Sequence, residues 1–267
     1  FGVIAFLTYG NLRGVKEAGK AFALPTYFFV ACMFIVFGMG LYRLANGTLP
    51  VLDTALPGAV HVGQAQGLLT FSAIFILLRA FANGGSSLTG LEAISDGVAL
   101  FKTPEHVNAK RTLVVMSCLL GTLVLGVSYF AHHIHAMPYE SGVPTVISQI
   151  AKAAVGSGTF GTVMFIMVQL ATMLILFAGA NTTYSAFPLL VNFVATDGYL
   201  PRQLTKRGHR LAFSNGILLL AGGGLLLVII TAGSVEHLVA FYALGVFTGF
   251  TLAGFGMTRY YLRTKPA

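Results

Sequence analysis

The stretch RAFANGGSSLTGLEAISDG, residues 79–97, lies inside an apolar segment, residues 67–100, that is long enough to cross a membrane. It combines glycines, hydroxyls and an amide with the carboxylate of Glu92. Lipid cannot hydrogen-bond a loosened backbone or solvate a carboxylate, so such a stretch must be buried in protein or line a wet cavity. An interrupted spanning helix is typical of the binding site of a secondary transporter, although small residues also let neighbouring helices pack closely.

The composition of the chain predicts an integral membrane protein. Of its 267 residues, 56% are hydrophobic and only 9% are charged, and the mean hydropathy is +0.82. A soluble globular domain has about a quarter charged residues. The sequence contains no P-loop, zinc-protease or serine-hydrolase motif, so it favours neither an ATP-driven pump nor an enzyme.

Six apolar segments are long enough to cross a bilayer. They cover residues 21–41, 67–100 (the broken segment), 112–134, 160–193, 211–231 and 235–261. Residues 1–10 would form about 15 Å of helix, which is half a span. Since the chain also starts at Phe1 rather than Met, we expect a fragment of a longer protein, forming part of a single transmembrane domain over residues 1–267.

The basic residues predict the orientation of these spans. All but Arg43, Arg79 and Lys152 fall in four linkers, which contain Arg13, Lys16 and Lys20; Lys102, Lys110 and Arg111; Arg202, Lys206, Arg207 and Arg210; and Arg259, Arg263 and Lys265. If the spans alternate, all four linkers lie on one side, as the positive-inside rule requires. We therefore expect a multi-pass plasma-membrane protein with a cytoplasmic C-terminus, and the net charge of +8 needs no nucleic acid to explain it.

Polar residues within the other spans have two interpretations each. Asn181 and Thr182 either line the same cavity as Asn83 in the broken segment, or bond backbone carbonyls one turn back. Tyr242 belongs to a stripe of small and polar residues that serves close packing or lines the cavity. Arg79 either extends towards the outer interface or pairs with an acidic residue of another helix. Outside the spans, residues 144–155 (PTVISQIAKAAV) predict a short helix lying over the outer face.

Three stretches resemble the amino acid–polyamine–organocation superfamily of permeases. LTGLEA (residues 88–93) resembles its broken sixth span, and NLRGVKEAGK (residues 11–20) resembles its link between spans four and five. ANTTYSAFPLLVNFVATDGYLPRQLTKRGHRLAFSNGI (residues 180–217) resembles its eighth span and the loop to span nine. The resemblance implies a LeuT-like fold of inverted repeats, of which this chain would hold half of span four and spans five to ten.

Within the superfamily, RAFANGGSSLTGLEAISDG (residues 79–97) and FPLLVNFVATDGYLP (residues 187–201) most resemble the Kim-type potassium–proton symporters. Typical amino acid permeases place a bulky aromatic residue where this chain has Ser86. Hydroxyls and freed carbonyls suit a bare cation, whose water shell must be replaced by oxygen ligands. The resemblance therefore implies a K⁺ site formed by Ser86, Ser87, Thr89 and the backbone at Gly90, with an amino acid permease as the alternative.

Glu92 follows two residues after Gly90 and is the expected proton-coupling group. Burial favours the neutral form of a carboxyl, so such a group can exchange a proton near neutral pH. The alternative is a neutral or paired carboxyl that caps loosened backbone. We expect no cofactor beyond transported K⁺ and H⁺. The expected partners are membrane lipid and a small cation or amino acid substrate, with a homodimer as an open alternative.

Overall fold

A computed structural model of the chain describes residues 1–13, 18–53, 58–59, 71–85, 98, 101–139, 141–205 and 214–264. These residues form eight α-helices and one short 3₁₀ helix, Arg202–Thr205. The α-helices are α1 (Gly2–Leu12), α2 (Ala18–Ala45), α3 (Phe71–Gly85), α4 (Glu105–His133), α5 (Val146–Val155), α6 (Thr159–Thr196), α7 (Ser214–Ile230) and α8 (Val235–Arg263).

The described part of the chain is all-α. It contains no β-strand, only an isolated antiparallel bridge between Ala59 and Tyr139. Helices suit an apolar chain in lipid, because lipid offers no hydrogen bonds and a helix pairs its own backbone N–H and C=O groups. Four described helices are long and apolar enough to cross a bilayer: Ala23–Ala45 within α2, all of α4, all of α6, and His237–Arg263 within α8. The predicted all-α membrane fold class is confirmed.

The helices α3 and α6 bear most directly on the predicted spans. Helix α3 occupies the first half of the broken segment, and the residues from 86 to 97 lie outside the described part of the chain. Helix α6 has 38 residues and is thus ~57 Å long, whereas a bilayer core needs only about 30 Å. It must therefore tilt or extend beyond the hydrocarbon. The assignment of helices to spans four to ten stays a prediction.

The chain divides into two compact units, and each is described by itself. Unit 1 comprises Phe1–His61 and Leu120–Leu226. Unit 2 comprises Val62–Leu119 and Leu227–Ala267. Two of the three boundaries between them fall within α4 and α7, so these two helices contribute residues to both units.

Unit 1 has a tightly packed apolar core between α2, α5, α6 and the second half of α4. Its buried members are Cys32, Met33, Val36, Phe37, Phe130, Ile134, Ile150, Ala151, Ala153, Ala154, Val155, Met164, Val168 and Ala171. Many are small, which lets helix backbones approach closely where lipid gives no hydrophobic driving force. Apolar residues on the opposite helix faces stay exposed, as expected for surfaces that meet lipid.

Two glycines allow aromatic side chains to enter this core. The rings of Phe37 and Phe130 stack with centroids 5.6 Å apart. A Cβ on Gly40 would stand 2.6 Å from the Phe130 ring, and one on Gly126 would collide with the Phe37 ring. The stacked pair therefore depends on the missing side chains of both glycines.

Helix α5 is the short helix predicted over the outer face. Its N-cap is Thr145, whose hydroxyl accepts a hydrogen bond from the Ser148 backbone N–H at 3.2 Å. Most of its residues are buried, and it packs on α2 and α6. The helix is therefore present, but its apolar face is covered by protein rather than laid against the membrane surface. The periodicity predicts an apolar face without indicating what covers it.

Candidate functional site

The predicted ion ligands lie just beyond the end of α3. Ser86, Ser87, Thr89, Gly90 and Glu92 fall outside the described residues. Asn83 lies within α3, in its last turn, but its side chain is also not described. The structure therefore describes the helix that leads to the predicted site and the helix against which it packs. Both belong to unit 2.

Helix α3 meets α8 at Gly85, the residue directly before Ser86. Gly85 is buried, and a Cβ added there would stand 2.6 Å from Cζ of Phe247. The rings of Phe81 and Phe247 are also in contact, with centroids 5.7 Å apart and a tilt of 42°. A side chain at residue 85 would displace the Phe247 ring, so this glycine sets the distance between the two helices.

A groove of about 960 Å³ runs along this helix pair. Arg79 and Ala82 line it from α3, and α8 contributes side chains from His237 to Leu252. The polar side chains that α8 provides are His237, Thr248 and Thr251. Ala243, Leu244 and Phe247 make much of the remaining wall apolar. The sequence predicted Arg79 as an unusual residue but gave no indication that His237 shares a groove with it.

The two threonines of this groove bond to their own helix. Thr248 Oγ1 donates to the carbonyl of Leu244, and Thr251 Oγ1 donates to that of Phe247, both at 2.7 Å. Each hydroxyl proton is thus used, whereas the oxygen keeps lone pairs that can face a cation. These two hydroxyls can offer oxygen ligands to a cation, but they have no proton left to donate to an anion.

Tyr242 and Asn181 were both predicted to line a cavity, and they lie in different units. Tyr242 lies on α8 beside Ala243, yet it is not among the described residues that line the groove. Asn181 lies on α6 in unit 1, where it is buried and accepts a 2.8 Å hydrogen bond from the side-chain amide of Asn11. The structure thus brings Asn181 to α1, whereas the cavity role of both residues stays a prediction.

A second polar contact joins α6 to α1 one turn further along. The hydroxyls of Tyr184 and Thr8 lie 3.0 Å apart, and Tyr184 is itself buried. Thr8 and Asn11 are three residues apart, as are Asn181 and Tyr184, so each pair shares one helix face. This matching spacing is a signal that each helix has a polar face, but it does not identify the partner helix.

Thr182 bonds to a backbone carbonyl of its own helix, and its cavity role stays a prediction. Its Oγ1 donates to the carbonyl of Gly179 at 2.6 Å, and the side chain is exposed. Thr183 makes a longer contact, 3.5 Å, with the same carbonyl. Side-chain hydroxyls commonly satisfy themselves in this way within apolar helices.

Comparison with known proteins places the chain in a family. The family model described as "Amino acid permease" matches residues 1–265. The chain belongs to the amino acid permease family. This confirms the resemblance to the amino acid–polyamine–organocation superfamily and agrees with a LeuT-like fold. The family consists of membrane transporters, so residues 1–265 belong to a family of multi-pass membrane permeases rather than to an enzyme family.

One curated relative is similar over almost the whole chain. The "Potassium transporter KimA" of Bacillus subtilis (strain 168) is 41% identical over 258 residues, which is 96% of this chain. The aligned region is 40% of the relative's own length. The chain therefore spans less than half of this curated relative.

Proposed function

We propose that this chain is part of a proton-coupled secondary transporter that takes up K⁺ by alternating access. The observation that carries the proposal is the 41% identity, over 96% of the chain, to a protein named as a potassium transporter. At this identity over nearly the whole chain, the helices that surround a site are expected to be shared. We place the transporter in the plasma membrane with a cytoplasmic C-terminus, because the basic linkers follow the positive-inside rule.

The proposed K⁺ site begins at the end of α3. Its ligands are the hydroxyls of Ser86, Ser87 and Thr89 and the backbone at Gly90, since K⁺ needs oxygen atoms to replace its water shell. The packing of Gly85 against Phe247 supports this location, because it fixes the backbone next to Ser86 against α8. Ion ligands must be held in fixed positions, and a fixed backbone directly before the first ligand meets this requirement.

Glu92 is the proposed proton-coupling group. Its exchange to Gln removes the titrating carboxyl and keeps the shape, so we expect the pH dependence of uptake to flatten. Glu105→Gln is the matched control, because Glu105 is exposed in the first turn of α4. An unchanged pH profile in Glu92→Gln, measured in the full-length protein, would remove Glu92 from the coupling mechanism.

An amino acid permease is the second candidate, favoured by the description of the family itself. The test is growth at limiting K⁺ of cells that lack their own K⁺ uptake systems and express the full-length protein. We expect rescue that added amino acids do not inhibit. Failure to rescue, together with uptake of labelled amino acids, would assign the protein to the second candidate.

A further inference from the structure

A pocket in unit 1 shares no residue with the proposed K⁺ site. It is lined by two of the three basic residues that lie outside the four basic linkers. It has a volume of about 560 Å³ and lies where α2 ends, α5 packs and α6 begins. Arg43 enters it from the last turn of α2, and Lys152 enters it from α5. None of the described residues that line this pocket is acidic.

Arg43 is held in position by the backbone around it. Its Nη1 donates to the carbonyl of Ala153 at 2.8 Å. Gly156 faces the same guanidinium, and a Cβ there would stand 3.0 Å from Nη1. A guanidinium has five N–H donors, so one bond to a carbonyl leaves the others for a ligand. The residue is half-buried, which strengthens its interaction with an anion relative to a fully solvated charge.

Further donors surround this guanidinium. The side chain of Lys152 is exposed, and its ammonium makes no hydrogen bond or ion pair with any residue in the described ranges, so it is available to the pocket. The hydroxyl-bearing residues Tyr139, Ser148 and Ser157 also line it. Two cations and several hydroxyls, with no described carboxylate among them, form a donor set suited to a phosphate group.

The remaining wall of the pocket is apolar and includes Pro50, Leu52, Pro144 and Phe165. Inorganic phosphate would leave this wall unused, whereas a phospholipid would cover it with its glycerol and the first part of its acyl chains. The position at the ends of two membrane helices is also the depth of lipid phosphates. The charge and the apolar wall together therefore favour a lipid over a free anion.

We propose that this pocket binds the phosphate head group of an anionic phospholipid. Arg43 and Lys152 contact the phosphate, and the apolar wall accommodates the adjoining part of the lipid. The site does not depend on what the protein transports, because it uses none of the residues of the proposed K⁺ site.

The test is a titration of the delipidated full-length protein with palmitoyl-oleoyl phosphatidylglycerol, followed by native mass spectrometry. Loss of a charge-assisted hydrogen bond predicts about a tenfold weaker binding in Lys152→Gln and in Arg43→Gln. Lys152→Gln is the decisive variant, because Arg43 also bonds to Ala153 and its exchange can disturb folding. Lys110→Gln is the control: Lys110 is exposed on α4 and does not line the pocket.

Two further ligands separate the alternatives. Phosphatidylcholine, with a neutral head group, is expected to bind more weakly than phosphatidylglycerol, and inorganic phosphate is expected not to displace the lipid. Equal binding of phosphatidylglycerol to the wild type and to Lys152→Gln would overturn the proposal. Equal binding of the two lipids would also overturn it, and displacement by inorganic phosphate would assign the pocket to a free anion.

Discussion

The α2–α5–α6 core of unit 1 and the α3–α8 pair of unit 2 use apolar helices in opposite ways. In the most apolar stretch of α2, 28% of the residues are buried, compared with 6% in that of α8. Unit 1 fills the space between its helices with small and branched side chains, whereas the α3–α8 pair meets at Gly85 and leaves a groove beside the contact. The packed core fixes its helices along their length, whereas the α3–α8 pair is fixed at one close contact and leaves space beside it for a ligand.

The largest expected effect is the loss of a buried side chain from the unit 1 core. Ile150 is 1% exposed, so Ile150→Ala should lower the free energy of unfolding by about 2–5 kcal/mol through the cavity that it leaves. The measurement is the unfolding temperature of the detergent-solubilised full-length protein. Ile166→Ala is the matched control, because Ile166 is 58% exposed on α6. Equal shifts in the two variants would contradict the existence of a packed core here.

A smaller effect on stability, but a direct one on transport, is expected at Gly85. Gly85→Ala forces the Phe247 ring to move, at a cost of about 1–3 kcal/mol, and should reduce K⁺ uptake while the protein amount in the membrane is maintained. Gly84→Ala is the matched control, because a Cβ there meets nothing within 4 Å.

A double substitution sharpens this prediction. Phe247→Leu removes the ring that Gly85→Ala would displace, so adding it to Gly85→Ala should restore part of the lost uptake. If the double variant is no better than Gly85→Ala alone, steric contact with Phe247 is not the cause.

The smallest effect is expected where α1 and α6 share polar contacts. Tyr184→Phe removes the hydroxyl that lies 3.0 Å from that of Thr8, and hydrogen bonds between membrane helices average about 0.6 kcal/mol. The unfolding temperature should therefore fall only slightly, and Tyr199→Phe, at an 83% exposed position, should leave it unchanged. A fall as large as that of Ile150→Ala would mean that this contact, rather than the core, dominates the stability of unit 1.

The sequence predicts the fold class better than it predicts which side chains are in contact. Apolar segments of spanning length indicated the membrane class, and LTGLEA together with residues 11–20 and 180–217 indicated the superfamily, because both follow from local composition and motif. The contact between Gly85 and Phe247 could not be predicted, since an aromatic residue in an apolar helix can equally face lipid. The coverage of α5 by α2 and α6 escaped prediction for a similar reason, because amphipathic spacing does not distinguish a protein surface from a membrane surface.

At the candidate site, too, the sequence identified some residues but not the contacts that they make. The sequence identified Arg79 as unusual because a charge within an apolar segment costs free energy in the membrane. His237 gave no such signal, since it lies near the start of a helix and resembles an ordinary interface residue. The link from Asn181 to Asn11 needed only the i, i+3 spacing on both helices, but choosing the partner helix required the tertiary structure. Sequence thus identifies unusual residues, and the fold determines which of them meet.

The most direct test of the central claim is K⁺-driven proton movement in liposomes that contain the purified full-length protein and an internal pH dye. We predict that a K⁺ gradient drives a pH change, that Thr89→Ala strongly reduces it, and that Thr258→Ala leaves it intact. Thr258 is the control because it is exposed and bonds only its own helix, at the carbonyl of Gly254. A pH change that does not depend on K⁺, or one that is unaltered in Thr89→Ala, would contradict proton-coupled K⁺ transport at the end of α3.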